Sequence, residues 1–246
     1  MNHITSRHNP AIKQLIELKK SDVRKETGLC VVEGIRAITS FLNSPYTLEK
    51  LYITEKNYAL IQNIVPESKL FCLSDQLMNI VSSASTPSGI LAVFKIPQAP
   101  SPDLLGSGIV LARIQDPGNM GTIIRTSIAC GLPSVVVVEG CDPWSPKVIQ
   151  ASAGALAAAH LFDWSWEHLI THKKNLTLCA LVPHGGTSPH DLTHSNILVV
   201  VGNEAHGLPA EWQKSCDQLV TLPMSESVES LNAAVAASIA LYLITH

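Results

Sequence analysis

The run Gly108-Ile109-Val110-Leu111-Ala112, then Ile114-Gln115-Asp116-Pro117-Gly118-Asn119-Met120-Gly121-Thr122-Ile123-Ile124-Arg125-Thr126, then Ser134-Val135-Val136-Val137-Val138, decides the fold. A strand with one wet face alternates apolar and polar side chains. These two five-residue runs do not alternate, so they read as strands covered on both faces. Between them a turn signal, Asp-Pro-Gly-Asn, feeds a helix predicted over residues 121–130. Strand, crossing helix and buried strand form a βαβ unit, which requires a parallel sheet. Residues 176–181 and 197–201 extend the pattern, with helices predicted in the region 148–159 and over 230–243. Residues 231–244 are apolar on every face and are expected to be buried all round, their small side chains packing closely, a second subunit being one partner.

Working back towards the N-terminus, Asn9-Pro10 opens a helical pattern in which Ile12, Leu15 and Ile16 recur while Lys13, Glu17 and Lys20 face water. Strands are predicted at Cys30-Val31-Val32 and over 48–53, 70–73 and 89–94, with helices between them, one over 34–42. The segment Ile96-Pro97-Gln98-Ala99-Pro100-Ser101-Pro102 has three prolines in seven residues and reads as a stiff connector. Two α/β domains follow, residues 1–97 and 98–246.

Of the 246 residues 46% are apolar and 15% charged, a balance that favours association between copies. No apolar run reaches the roughly 20 residues needed to cross a bilayer, and the first residues lack the apolar core of a signal peptide. A cytoplasmic protein away from membranes is expected. Cys30, Cys72, Cys130, Cys141, Cys179 and Cys216 lie far apart, which argues against a zinc site or a disulfide framework and makes them small buried hydrophobes. Residues 1–97 hold 11 Lys/Arg against 8 Asp/Glu (+3), and residues 98–246 hold 6 against 12 (−6). Arg7, Lys13, Lys19, Lys20, Arg24 and Lys25 crowd the start of the chain, opposed there by Glu17 and Asp22 alone. That cluster reads either as a phosphate-neutralising surface or as a solvated helix face.

Three loops follow or adjoin the apolar strands, where open α/β sheets bind ligands. They are residues 114–126, then Val201-Gly202-Asn203-Glu204-Ala205-His206-Gly207-Leu208-Pro209, then Leu222-Pro223-Met224-Ser225-Glu226-Ser227-Val228-Glu229-Ser230-Leu231-Asn232. Singly each reads as a turn or a strand cap. In order, spacing and detail together they resemble the three signature motifs of the SpoU family of RNA ribose 2′-O-methyltransferases, in the SPOUT superfamily. Ile4-Thr5-Ser6-Arg7-His8-Asn9-Pro10 and Val32-Glu33-Gly34-Ile35-Arg36 also resemble that family's small RNA-binding domain, which is itself similar to a ribosomal protein. The resemblance therefore spans essentially the whole chain. It implies an α/β fold whose C-terminal parallel-sheet domain carries a deep trefoil knot. It further implies S-adenosyl-L-methionine as cofactor, a homodimer, and structured RNA as partner, with ribosomal RNA favoured over transfer RNA by the extra N-terminal domain. No metal is implied.

By that resemblance Asn119, Arg125, Glu204, Ser230 and Asn232 belong to the catalytic region. Leu181, Val182, Pro183, His184, Gly202, Asn203, Glu204, Gly207, Val220, Leu222, Pro223, Ser230 and Leu231 form the cofactor site, and Arg36 joins the basic cluster as RNA-binding. The chain departs from the usual pattern at Glu226, where relatives commonly have glycine, and at Gln150, where they have a basic residue. The chemistry is consistent with these roles, because a ribose 2′-hydroxyl is a poor nucleophile that must lose its proton as the methyl arrives. Arg125 reads either as the general base or as a cation that grips the phosphate and stabilises the alkoxide. Asn119 and Asn232 offer amides for orientation, and Glu204 a carboxylate. His206 lies beside them with no assigned chemistry.

Other signals read as packing or solvation. His168 and His172 have i, i+4 spacing, and His184, His190 and His194 share a polar stretch, but neither set has a convincing Cys or carboxylate partner for a metal. Trp164 and Trp166 read as half-buried packing, with base stacking as the alternative. A non-catalytic RNA-binding protein on the same fold is a second reading, favoured by Glu226. A dinucleotide enzyme is discounted because no Gly-x-Gly-x-x-Gly follows the first strand of either half.

Overall fold

Short apolar strands alternating with helices build two α/β units in the computed structural model, which describes residues 2–61, 64–192, 196–225 and 227–246. Met1–Gln98 with Trp144–Ala157 forms the first unit, and Ala99–Pro143 with Ala158–His246 the second.

The first unit runs β1 (Asn2–Ile4), α1 (Pro10–Glu17), α2 (Ser21–Thr27), β2 (Leu29–Glu33), α3 (Ile35–Leu42), β3 (Thr47–Ile53), α4 (Tyr58–Ile61), β4 (Leu70–Leu73), α5 (Asp75–Val81) and β5 (Ile90–Lys95). Its sheet has the order β1-β4-β3-β5-β2. β1, β4 and β3 are parallel, and β5 is antiparallel to both β3 and β2. Helix α1 starts where Asn9 accepts a hydrogen bond from the Ala11 amide at 2.9 Å and Pro10 supplies the first helical position. Its Ile12 and Leu15, with Leu18 just beyond, are buried against Leu77, Met78 and Val81 of α5 and against Tyr52, Leu91 and Val93 of the sheet. Each such side chain stabilises the fold by roughly 1.5–3 kcal/mol. Elsewhere in this unit Phe41 of α3 packs between Tyr46 and Phe94, with centroids 4.6 and 5.3 Å away.

The second unit begins with β6 (Gly108–Ala112), α6 (Pro117–Ala129) and β7 (Ser134–Val138). The chain then lends α7 (Pro146–Ala151) to the first unit, where Trp144 Nε1 donates to the Tyr46 hydroxyl at 3.1 Å. β8 (His160–Asp163), α8 (Trp166–His172), β9 (Thr177–Leu181), β10 (Ile197–Val201), α9 (Ala210–Lys214), β11 (Gln218–Val220) and α10 (Ala233–Thr245) complete the second unit. Its six strands are all parallel, in the order β11-β9-β10-β6-β7-β8. Pleating sends alternate residues to opposite faces. Val110, Ala112, Val136, Val138, Leu198 and Val200 meet Trp166 and Leu169 of α8 and Trp212 of α9. Ile109, Leu111, Val135, Val137, Val199 and Val201 alternate with them and are just as buried. α6 packs against β6, α10 against β10, and the two helices against each other. Burial of both sets explains why these runs do not alternate apolar with polar residues.

Within this single chain helix α10 is buried on one side only. Ala233, Ala234, Ala237, Ala240, Leu241 and Ile244 are buried, whereas Val235, Ile239 and Tyr242 form an exposed stripe at i, i+4 and i+7 of this chain. Between β9 and β11 the backbone is tightly laced. Val182 N donates to Val220 O at 2.9 Å, Thr187 N to Leu219 O at 2.9 Å, and Gly186 N to Thr221 Oγ1 at 2.8 Å. A Cβ at Gly186 would lie 2.7 Å from the backbone of Leu219 and Val220, so only glycine permits this crossing.

Candidate active site

The three motif loops meet in the second unit beside the C-terminal ends of β6 and β10. Helix α6 starts at Pro117, earlier than the turn signal suggests, because Asp116 Oδ1 caps the Asn119 amide at 2.8 Å and proline suits the first helical position. Asn119 therefore sits in the first turn of a helix. Its Nδ2 donates to Glu204 Oε1 at 3.1 Å, and its Oδ1 accepts from Asn232 Nδ2 at 3.1 Å. Asn232 Oδ1 in turn caps α10, accepting from Ala234 N at 2.9 Å and Val235 N at 3.2 Å. One hydrogen-bond chain, α10 amides to Asn232 to Asn119 to Glu204, links the three motifs and fixes both side-chain amide orientations.

Glu204 is held by donors alone. Besides Asn119 it accepts from Asp116 N at 3.1 Å, Gln115 N at 3.3 Å and Asn203 Nδ2 at 3.4 Å. Partial burial pushes its pKa up, but the hydrogen bonds together outweigh that and hold the carboxyl below its ordinary value. Asn203 shapes the loop: its Nδ2 donates to Arg113 O at 2.9 Å, and its Oδ1 accepts from the amides of Ala205 and His206 at 3.0 and 3.1 Å. Asn203 and Gly207 also exchange backbone hydrogen bonds. Behind them Arg113, at a left-handed φ of 59°, lies over the Trp212 ring at 4.5 Å and pairs with Glu139 at 2.7 Å.

A cavity of about 390 Å³ opens beside this chain. Leu181, Val182, Pro183, Gly202, Asn203, Glu204, Gly207, Val220, Leu222, Ser230 and Leu231 line it. His184 and Pro223 do not. His184 is exposed beyond the lining, and the extended segment 222–224 turns Leu222 and Met224 inward and Pro223 outward. Leu208, Gln213, Met224, Ala233 and Ala236 also line it. None of these was assigned to the site from sequence: Leu208 and Met224 lie inside the quoted motif loops without a distinguishing chemistry, and Gln213, Ala233 and Ala236 are helix-borne residues that carry no site signal of their own. At Gly202 a Cβ would fall onto the backbone of Gly207 and Leu208. The size suits a nucleoside-like molecule. Leu208, Leu222 and Leu231 offer an apolar seat, the surrounding loops offer backbone polar groups, and Glu204 offers an anionic rim for a cation, so these residues fit S-adenosyl-L-methionine. Ser230, Asn119, Glu204 and Asn232 also border an adjoining shallow depression.

Arg125 stands apart from this hydrogen-bond chain. It is exposed and lines an open depression with Thr122, Thr126, Ser238, Tyr242 and His246, where Thr126 and Ser238 hydroxyls meet at 3.0 Å. In the first unit Arg7, Lys13, Lys25 and Arg36 are exposed. Lys20 is exposed and paired with Glu17 at 2.7 Å. Lys19 Nζ donates to Ser82 O at 2.7 Å and Ile80 O at 3.2 Å, and burial lowers its pKa against the opposing pull of Glu33. Arg24 must be withdrawn from the RNA-facing set, because it is 3% exposed and donates to Leu18 O at 2.8 Å.

The remaining signals resolve into packing. Trp166 is buried, stacks on Trp212 at 4.6 Å and donates to Ser215 Oγ at 3.0 Å. Trp164 is half-buried against Phe162. His168 and His172 stack on each other at 4.0 Å. Among the described residues no group of three or more His, Cys, Asp or Glu could hold a metal ion, and no helix is long and apolar enough to cross a membrane. His194 and Glu226 lie outside the described residues.

Residues 107–242 match the model of the SpoU rRNA Methylase family, and residues 9–92 match an MRM3-like substrate binding domain. The chain is 32% identical to an uncharacterised tRNA/rRNA methyltransferase of Synechocystis sp., over 97% of this chain and 92% of that one. It is 25% identical to the 23S rRNA (guanosine(2553)-2′-O)-methyltransferase of Bacillus subtilis, over 98% of each. It shares its fold with an AdoMet-bound rRNA methyltransferase of Sinorhizobium meliloti, at a TM-score of 0.88 and 23% identity, over 99% of this chain and 97% of that one. With three motif loops tied by one hydrogen-bond chain and a family model matching most of the second unit, the chain belongs to the SpoU rRNA methylase family.

Proposed function

We propose that this protein transfers a methyl group from S-adenosyl-L-methionine to a ribose 2′-hydroxyl of structured RNA, ribosomal RNA before transfer RNA. The observation that carries the reading is the Asn232–Asn119–Glu204 chain at the mouth of a nucleoside-sized cavity. Membership of the SpoU family and the matched substrate-binding domain in residues 9–92 support it.

When bound, S-adenosyl-L-methionine supplies an electrophilic methyl group carried on a sulfonium. Leu208, Leu222 and Leu231 would seat its apolar parts, and Glu204, held ionised, would complement its positive charge at the cavity rim. Asn119, its amide fixed at both ends, presents a rigid edge to the incoming ribose. A guanidinium is a planar, multi-donor cation and a poor proton acceptor, so the role assigned to Arg125 is to hold a backbone phosphate and stabilise negative charge on the 2′-oxygen as that oxygen loses its proton.

Two finer features belong to this proposal. Tyr242 of the exposed α10 stripe, which also holds Val235 and Ile239, lines the Arg125 depression, and a homodimer packed on that stripe would bury it and bring Arg125 to the partner's site. The lacing of residues 182–187 around 219–221 supports a knotted passage of the C-terminal chain. The test is to map 2′-O-methyl marks in total cellular RNA with and without the protein. One site should vanish, and the purified protein should bind S-adenosyl-L-methionine by calorimetry. Binding of RNA without cofactor would favour an assembly protein instead.

A further inference from the structure

The first unit holds a second, smaller cavity, of about 120 Å³, which methyl transfer leaves unused. Val31 and Glu33 of β2, Ser83, Thr86 and Ser88 of the loop between α5 and β5, and Gln150 of α7 line it. The loop is pinned at both ends. At one end Ser82 Oγ donates to the Glu33 carboxylate, 2.8 Å from each oxygen, while Ser82 O accepts from Lys19. At the other end the Ser88 amide donates to Glu33 Oε1 at 3.2 Å. Ser82 is buried, at 7% exposure, whereas Ser83, Ser85, Thr86 and Ser88 face solvent. A serine-rich segment has no apolar reason to hold one shape, so the two opposite charges impose it.

The chemistry of the lining narrows what fits. A carboxylate only accepts hydrogen bonds and repels phosphate, so a ligand must bring N–H or O–H donors. Its two oxygens have about four acceptor positions, and Ser82 and Ser88 leave part of that capacity for the cavity. Hydroxyls rotate to suit donors and acceptors alike, so discrimination falls to Glu33. Proteins that read RNA sequence do so chiefly on unstacked bases, and a carboxylate accepts from the cytosine amino group where uracil presents a carbonyl. We propose that this cavity receives one unstacked nucleobase of the substrate RNA and selects for an exocyclic amino group. This rests on the RNA methyltransferase reading and adds to it a place where the first unit reads sequence.

The test compares labelled oligocytidylate with oligouridylate, each about twelve nucleotides long, binding the full-length protein by fluorescence anisotropy. The two probes differ at the base edge that Glu33 would read. Oligocytidylate should bind about tenfold more tightly, and Glu33→Gln should narrow that preference to about twofold or less. Gln150 is exposed, so Gln150→Trp blocks the cavity without disturbing the pinned loop and should abolish the preference if Glu33→Gln alters folding. Equal binding of the two probes, a preference for uridine, no binding of either, or a preference that survives both variants overturns the proposal. Methyl transfer to total RNA, measured alongside, reports the catalytic reading separately: transfer without cytidine preference sinks this site alone, and absence of transfer sinks the enzyme.

Discussion

Replacing Glu204 with glutamine tests how the active site is held. Among the described residues the carboxylate has four side-chain or backbone donors outside its own residue, Asp116 N and Asn119 Nδ2 on Oε1, Gln115 N and Asn203 Nδ2 on Oε2. A glutamine must turn its NH₂ group towards one of these pairs. The less costly placement faces the Oε2 pair, whose bonds of 3.3 and 3.4 Å are the longer ones. Hydrogen bonds to an ionised acceptor are worth about 1.5–3 kcal/mol each, and Glu204 is exposed enough for solvent to discount that, so about 2 kcal/mol of loop ordering is lost in all. Turnover should fall roughly 10- to 100-fold, measured as label transferred from S-adenosyl-L-methionine to the identified RNA. Hydrogen exchange at the Gln115 amide, which loses its acceptor, should speed up by about tenfold or more, and the Asp116 amide, still facing a carbonyl oxygen, should change less. Acid does the same to the wild type. The folded pKa of Glu204 lies below its ordinary value, so its stabilising contribution is complete above that ordinary value, 4.5, and is lost as pH falls through the lowered one. Wild-type activity should therefore show an acidic limb that the glutamine variant lacks. Wild-type turnover together with unchanged amide protection in Glu204→Gln would refute the argument.

Arg125→Ala should lower turnover by about 10²-fold or more with S-adenosyl-L-methionine affinity unchanged by calorimetry, and partial activity in Arg125→Lys would mark a role of charge rather than of the planar guanidinium. Tyr242 is 58% exposed on α10, so Tyr242→Glu should give the monomer mass of 26.5 kDa by light scattering where the wild type gives twice that, and an unchanged mass would rule that face out. Gly202→Ala should raise the cofactor Kd by about 100-fold or more, because its Cβ meets rigid backbone at Gly207 and Leu208 rather than a flexible side chain; retained affinity would contradict the close approach.

Sequence alone determined the elements whose causes are local. β6, β7 and β10 fall on the residues their apolar runs predict, because burial on both faces is written in every residue of such a strand. α1 begins where Asn9-Pro10 caps it, and the motif order was sufficient to indicate the family. Elements without periodicity were not legible: β1 and β11 have three residues each, and the polar α2 has no apolar stripe. Only the tertiary structure decided how the motif residues act together. Asn119 lies 85 positions from Glu204 and 113 from Asn232, and the orientation of its amide is set by what those partners donate and accept across the fold. Long-range packing also carried Trp144–Ala157 into the first unit, while Arg24 turned back onto the carbonyl of Leu18, six residues before it, and became buried. Composition fixes what a residue can do, and partners distant in sequence fix whether it faces water, a ligand or the core.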